Sequence, residues 1–179
     1  LSTLGAGGTG ALTYNWSPIA ASGSVLTISN ATVAQSGIYS VYVSDTKGCR
    51  SATVTREIVV NAVPVAQIVT SPTGICLGTS GTFVAATDAS YTNYEFFVNG
   101  TSRQSGLSSS FDYTPVLAEV GNVTIRLVVT NGSGCTDETE LTIPVYNSPA
   151  ATFTTSLPAE VCINDSKNIL VTLTTGSIT

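Results

Sequence analysis

The sequence predicts an all-β protein of tandem antiparallel β-sandwiches, and two observations carry that prediction. Apolar side chains recur at every second position in several segments; Tyr39, Val41 and Val43, for example, alternate with Ser40 and Ser44. This period of two is typical of a strand with one buried face, and no long run shows the helical period. Short motifs also recur after about 85 residues, the length of one small sandwich. The chain is therefore expected to repeat one β-domain.

The repeat spacing predicts where the domains begin and end. Gly48-Cys49 recurs as Gly134-Cys135, Cys76 recurs as Cys162, and Pro64-Val65-Ala66 recurs as Pro149-Ala150-Ala151. We therefore expect three pieces: residues 1–62, a copy that lacks its first strand; residues 63–148, a complete copy; and residues 149–179, the first two strands of a third copy. The linkers are short and contain proline, which suits a strand-free junction and indicates stiff, head-to-tail repeats.

The complete copy is expected to form a sandwich of about seven antiparallel strands. The clearest alternation places Val123, Ile125, Leu127 and Val129 on one face of a strand. Residues 131–134, Asn-Gly-Ser-Gly, predict the turn to the following strand, which buries Leu141, Ile143 and Val145. The predicted core of this copy is Phe83, Phe96, Ile125, Leu127, Leu141 and Ile143.

Charge and hydropathy exclude several classes of partner. The net charge is −5, and the six basic residues are scattered, so no patch could neutralise nucleic-acid phosphates. No run approaches the ~18 apolar residues of a membrane-spanning helix, so direct membrane insertion is not expected. Residue 1 falls inside strand-like sequence with no initiator Met before it. We therefore expect the chain to be a section of a longer exported protein.

Four motifs in order give the chain a family resemblance. They are Tyr14-Asn15-Trp16-Ser17-Pro18, Ser36-Gly37-Ile38-Tyr39, Gly48-Cys49 and Ile75-Cys76-Leu77-Gly78. Together they resemble the immunoglobulin-like (Ig-like) and PKD-like repeats of very large Bacteroidota surface adhesins of the gliding-motility type. Tyr14-Asn15-Trp16 corresponds to the core strand C of that fold, with Tyr94-Glu95-Phe96 as its second copy, and Ser36–Tyr39 to the tyrosine corner, where Val123 replaces Tyr39 in the second copy.

The resemblance implies tandem Ig-like antiparallel β-sandwiches at the cell surface, exported by the type IX route. It implies a structural or adhesive role, as a stalk or scaffold in a surface or filament protein. The expected partners are neighbouring repeats of the same or adjacent chains, and surface polysaccharide or protein. The alternative is an accessory module, carbohydrate-binding or spacer, of a secreted polysaccharide-degrading enzyme.

Catalysis is not expected, because the chain contains no His and so has no imidazole base or ligand. A Ser-Lys pair would need Lys47 or Lys167, and both lie in polar, turn-like sequence. The densest acidic cluster is Asp137, Glu138 and Glu140, which is interpreted as a solvated strand edge that resists sheet-to-sheet aggregation. No catalytic, cofactor-binding or metal-ligating residues are predicted.

The sequence is compatible with two kinds of ligand, a structural Ca²⁺ and a sugar. A structural Ca²⁺ at a repeat junction would draw on Glu57 and Asp88, or on Glu160 and Asp165, but no dense run of acids marks such a site. Exposed aromatics could bind sugar. Tyr42 is predicted on the outer face of its strand, whereas Tyr91, Tyr94 and Phe97 crowd one hairpin, where cross-strand packing is the competing interpretation.

Cys49, Cys76, Cys135 and Cys162 are disulfide candidates, since the protein is expected to be exported. Pairing of Cys76 with Cys135 is the simplest choice. In an Ig-like sandwich, however, these positions fall at opposite ends of the domain, more than about 20 Å apart for a strand of ~7 residues. A disulfide tolerates a Cα separation of only about 4.4–6.8 Å. We therefore expect bridges between successive repeats, with a rearranged topology that joins Cys76 to Cys135 as the alternative.

Overall fold

The computed structural model describes residues 1–153 and 171–174, and the side chains of residues 1–149. The chain divides into two compact units, Leu1–Val63 (unit 1) and Pro64–Thr179 (unit 2). Both are built of strands, with two short 3₁₀ turns at Val33–Gln35 and Leu117–Glu119. The predicted all-β class is confirmed.

Unit 2 contains a sandwich of eight strands in two sheets. The larger sheet has the order β5-β11-β10-β7-β8 and the smaller one the order β4-β6-β9. This is the strand order of an Ig-like sandwich, so the predicted fold is confirmed. The strands are β4 (Ile68–Thr70), β5 (Ile75–Cys76), β6 (Gly81–Ala85), β7 (Tyr91–Val98), β8 (Thr101–Gly106), β9 (Ser110–Tyr113), β10 (Gly121–Asn131) and β11 (Thr136–Tyr146).

The core of unit 2 lies between these sheets and follows the predicted alternation. Phe96 of the larger sheet stacks on Phe111 of the smaller sheet, with ring centroids 5.2 Å apart. Five of the six predicted core residues are buried, but Leu141 is only partly buried and packs against the edge of the core. The buried set also includes Ile75, Ala85, Tyr94, Val98, Tyr113, Val123, Val129 and Val145.

One strand pair departs from the expected antiparallel arrangement. β5 runs parallel to the end of β11, with Ile75 opposite Val145 and Cys76 opposite Tyr146. The chain begins the domain in the smaller sheet as β4 and then crosses to the larger sheet. Because it keeps its direction while doing so, it lies alongside the last strand in the same sense. Period-two alternation reports which face is buried and carries no information about this pairing.

Unit 1 has one three-stranded sheet and, outside it, an isolated bridge between two further segments. Its sheet has the order β1-β2-β3, formed by Thr13–Ser17, Gly37–Ser44 and Val54–Ile58. Residues 1–3 pair with residues 24–26 through an antiparallel bridge between Ser2 and Val25. The buried core among the described residues is limited to Trp16, Leu26, Tyr39 and Val41.

In each unit a tyrosine side chain holds a 3₁₀ turn, before β2 in unit 1 and before β10 in unit 2, but the two tyrosines come from different strands. In unit 1 the hydroxyl of Tyr39 donates to the carbonyl of Gln35 at 2.8 Å, which is the predicted tyrosine corner. In unit 2 the hydroxyl of Tyr113, on β9, donates to the carboxylate of Glu119 at 2.5 Å. Burial, and then this contact with Glu119, raises the pKa of Tyr113. Val123 has no hydroxyl and cannot form a tyrosine corner, so in unit 2 the turn is held instead by Tyr113 from another strand.

The chain beyond the sandwich contains two further strands. β12 (Ala150–Phe153) pairs antiparallel with β13 (Val171–Thr174). Cys162, Glu160 and Asp165 lie outside the described residues. The division into pieces at 62/63 and 148/149 stays a prediction.

Candidate functional site

The two Gly-Cys motifs close the same turn, residues 45–49 in unit 1 and 131–135 in unit 2. The backbone N–H of Asp45 donates to the carbonyl of Cys49 at 3.0 Å, and that of Asn131 donates to Cys135 at 3.0 Å. Gly48 and Gly134 adopt φ of 82° and 79°, in the left-handed region that favours glycine. The Gly in each motif is therefore required by the turn.

A side chain at the first position of each turn completes it. One carboxylate oxygen of Asp45 accepts from the N–H groups of Lys47 and Cys49, both at 2.9 Å. The amide oxygen of Asn131 accepts from Ser133 at 3.1 Å and Cys135 at 3.0 Å. Hydrogen bonds from the backbone of Thr9 and Cys49 hold the pKa of Asp45 below its usual value. This role was not predicted from the sequence, although an Asx residue four positions before the Cys is present in both copies.

The cysteines of the described part are unpaired. Cys49 and Cys76 are exposed, Cys135 is half-buried, and all three are free thiols. Cys76 lies opposite Tyr146 at the last residue of β11, whereas Cys135 directly precedes Thr136 at its first residue. At ~3.4 Å per residue, the 11 residue steps between them along β11 correspond to about 37 Å, far beyond the reach of a disulfide. Pairing of Cys76 with Cys135 inside one repeat is therefore excluded.

The first residues of unit 2 are held by side chains from two distant strands. The hydroxyl of Tyr91 contacts both the N–H and the carbonyl of Val65 at 3.0 Å. The carboxylate of Asp137 accepts from the N–H of Ala66 at 2.8 Å. The interpretation of Asp137 as a solvated edge acid is thus wrong, because its half-buried carboxylate anchors the opening segment of the domain.

The other two acids of the cluster are exposed on one face of β11, as predicted. Glu138 is exposed and pairs with Arg126 at 2.7 Å, and Glu140 is exposed on the same face of β11. Within residues 1–153 and 171–174, no three Cys, Asp or Glu side chains cluster in a way that could hold a metal ion. Asp88, a calcium candidate, accepts instead from the hydroxyl and the N–H of Ser90, which lower its pKa.

The aromatic residues of the β7 hairpin are used in packing. Tyr94 is buried, and Tyr91 meets its ring edge-on at a centroid distance of 5.9 Å. Phe97 lies under the guanidinium of Arg126, 3.9 Å from the ring centroid. Tyr42 differs, since it lines an open groove on the outer face of unit 1.

Comparison with known proteins adds little beyond this geometry. No family model matches the sequence, and no curated protein matches it. The fibronectin(III)-like modules of Clostridium thermocellum CbhA align at 14% identity over 76% of this chain and 77% of theirs, with a TM-score of 0.44. The amphioxus IgVJ-C2 molecule aligns at 14% identity over 80% and 94%, with a TM-score of 0.37. Immunoglobulin domains 1–5 of Sidekick-1 align at 14% identity over 77% and 33%, with a TM-score of 0.37.

These values are too low to assign a function, so the Ig-like fold rests on the chain's own strand order. In the part of the chain that the structure describes, no helix has the length and hydropathy needed to cross a membrane.

Removal of the Asp137 carboxylate should destabilise unit 2. We expect Asp137→Ala to lower its free energy of unfolding by about 1–2 kcal/mol, because the variant loses a charged acceptor and leaves the Ala66 N–H without its partner. Urea denaturation followed by circular dichroism measures this. Glu140→Ala on the same strand is the control and should change stability by less than about 0.5 kcal/mol. Equal effects of the two changes would show that Asp137 is an ordinary surface acid.

Proposed function

We propose that this chain is a non-catalytic stalk or scaffold segment of a large exported surface or filament protein, built from Ig-like repeats. One observation carries the proposal: the same Gly-Cys turn, with its Asx residue and its free Cys, is built in both units. Because the turn recurs, each repeat would present a free thiol at the same position of its fold, which supports a structural role for the repeats.

The position of the cysteines supports bonds between repeats. Unit 2 carries Cys76 at one end of its sandwich and Cys135 at the other, and both are free. A domain with one thiol at each end can be joined covalently to a repeat before it and to a repeat after it. Such bridges would form in the oxidising conditions outside the cell. In this proposal, neighbouring repeats are the principal partners of the chain.

A tandem protein with two copies of residues 64–148 tests this arrangement. After oxidation, peptide mass mapping should find one disulfide, between Cys76 of the first copy and Cys135 of the second. Cys135→Ser in the second copy should abolish it. The same substitution in the first copy is the matched control and should leave the bond intact. A bond within one copy, or four thiols that stay free under oxidising conditions, would contradict the proposal.

A further inference from the structure

An open groove of about 660 Å³ lies on the outer face of unit 1. Trp16 and Val41 point into the core, so their neighbours on β1 and β2 point to the opposite face. Asn15 lies directly opposite Tyr42 there. A segment at residues 20–22 borders the groove, held to β1 by the Tyr14 N–H and the Ser22 carbonyl at 3.4 Å. We name this surface the outer-face groove.

Arg50 is the one charged residue that lines the outer-face groove. Its guanidinium carbon lies 3.4 Å from the centroid of the Tyr42 ring, so the two groups stack. The ion pairs of the described residues join Arg103 to Glu119 and Arg126 to Glu138, and neither involves Arg50. The carboxylate of Asp45, which lines a neighbouring cavity with Arg50, accepts hydrogen bonds from three backbone N–H groups. The N–H groups of Arg50 are therefore available to an anion.

Unit 2 contains a similar arginine–aromatic stack, in which the arginine has a carboxylate partner within the chain. Arg126 stacks on Phe97 at 3.9 Å, as Arg50 does on Tyr42, but it also binds Glu138 at 2.7 Å. Glu95, which corresponds to Asn15 in the repeated Tyr-x-aromatic motif, accepts from the hydroxyl of Ser102. Asn15 of unit 1 thus stands where unit 2 has an acid, and Arg50, unlike Arg126, takes part in neither ion pair of the described residues.

The rest of the outer-face groove suits sugar hydroxyls. Asn15, Ser17, Ser40 and Thr53 line it with amide and hydroxyl groups, which both donate and accept hydrogen bonds. The bonds that Asn15 makes within the chain are long, 3.4 Å to the Thr13 carbonyl and 3.4 Å to the Ser44 hydroxyl. The volume falls in the range of about 300–1,000 Å³ typical of small-ligand sites.

We propose that unit 1 binds an acidic oligosaccharide of the uronic-acid class in the outer-face groove. Arg50 presents its planar fork of N–H donors to a sugar carboxylate while Tyr42 supports the guanidinium from below. Asn15 and Ser40 bind ring hydroxyls. The inference does not depend on the proposed stalk function, because a site on one repeat is compatible with a stalk or with an accessory module.

Calorimetric titration of the full chain with hexagalacturonate at low salt tests the site. We expect saturable binding that weakens as salt is added, because the contact is electrostatic. Arg50→Gln should weaken binding at least 10-fold. Arg50→Lys keeps the charge but loses the fork, and should give an intermediate loss. Arg56→Gln, at an exposed arginine of the same unit that lines a different cavity, is the matched control and should stay within 2-fold of the unchanged chain.

Three outcomes would overturn the proposal. One is no saturable binding of hexagalacturonate. Another is equally tight binding of uncharged cellohexaose or of hexaglutamate, which would remove the uronic-acid assignment. The third is an equal loss in Arg50→Gln and Arg56→Gln, which would place the contact elsewhere. Nuclear magnetic resonance spectra of each variant check that unit 1 keeps its fold.

Discussion

Replacement of Phe96 by Ala should lower the free energy of unfolding of unit 2 by about 3–5 kcal/mol. The side chain is fully buried and stacks on Phe111 between the two sheets, so its removal loses apolar burial and leaves a cavity at their centre. A domain of this kind is stable by only about 5–15 kcal/mol, so the variant would approach the limit of folding. The lone Trp, Trp16, belongs to unit 1. Urea denaturation of residues 64–148 alone, which contain no Trp, followed by tyrosine fluorescence and circular dichroism measures the change in unit 2 without a signal from unit 1.

The adjacent residue supplies the control for this experiment. Phe97 points to the outer face of the same strand, where it is partly exposed and lies against the guanidinium of Arg126. Phe97→Ala should cost no more than about 1 kcal/mol, the value of one exposed cation–π contact. Similar losses at both positions would contradict the assignment of faces on β7.

Residues 1–63, expressed alone, should show no cooperative thermal transition, whereas residues 64–148 should melt in one sharp step. Unit 1 has four buried core residues, and a cavity of about 390 Å³ opens onto Trp16, Tyr39 and Val41. Val54 is 58% exposed beside that cavity, although its side chain is apolar. In unit 2, β4 and β5 form edges of that unit's own two sheets, and the described residues of unit 1 form no named strand at the corresponding positions. A domain this small with so little burial is marginal in water.

Trp16 fluorescence measures the outcome directly. An emission maximum close to that of free tryptophan, with a gradual change on heating, is the expected result for the isolated segment. A sharp transition for residues 1–63, with the emission of a buried indole, would show that the single sheet is sufficient. The same scan of the whole chain serves as the reference.

Alternation along single strands was sufficient to predict most of the fold. Val123, Ile125, Leu127 and Val129 are all fully buried, as their period of two predicts. Leu141 is only partly buried against the core, and local pattern does not report how completely other segments cover a strand. The parallel pairing of β5 and the contact of Tyr113 with Glu119 were missed for a related reason. Each depends on which distant segment lies alongside, which period and composition do not encode.

In the candidate sites, too, local features were predictable from the sequence, whereas contacts between distant residues were not. The turn at residues 131–134 was predicted from Asn-Gly-Ser-Gly, since turn geometry is local, whereas Gly48-Cys49 was interpreted only as part of the repeat. The anchoring role of Asp137 joins positions 71 residues apart and could not be derived from its neighbours. Likewise, the sequence placed Tyr42 on the outer face, but the stacking of Arg50 on its ring required the path of the turn between them.

The parallel pairing of β5 with the end of β11 has a mechanical consequence. When a tandem protein is stretched, tension enters unit 2 near its first residues and leaves after its last strand, so these two strands are pulled past each other lengthwise. The bonds between them, including that from the Leu77 N–H to the Tyr146 carbonyl at 2.9 Å and that from the Ser148 hydroxyl to the Leu77 carbonyl, are then loaded together. Bonds loaded in shear resist as a group, whereas those of an antiparallel hairpin pulled open at its end break one after another. Two residues of β5 thus arrange these hydrogen bonds so that tension along the chain loads them in shear.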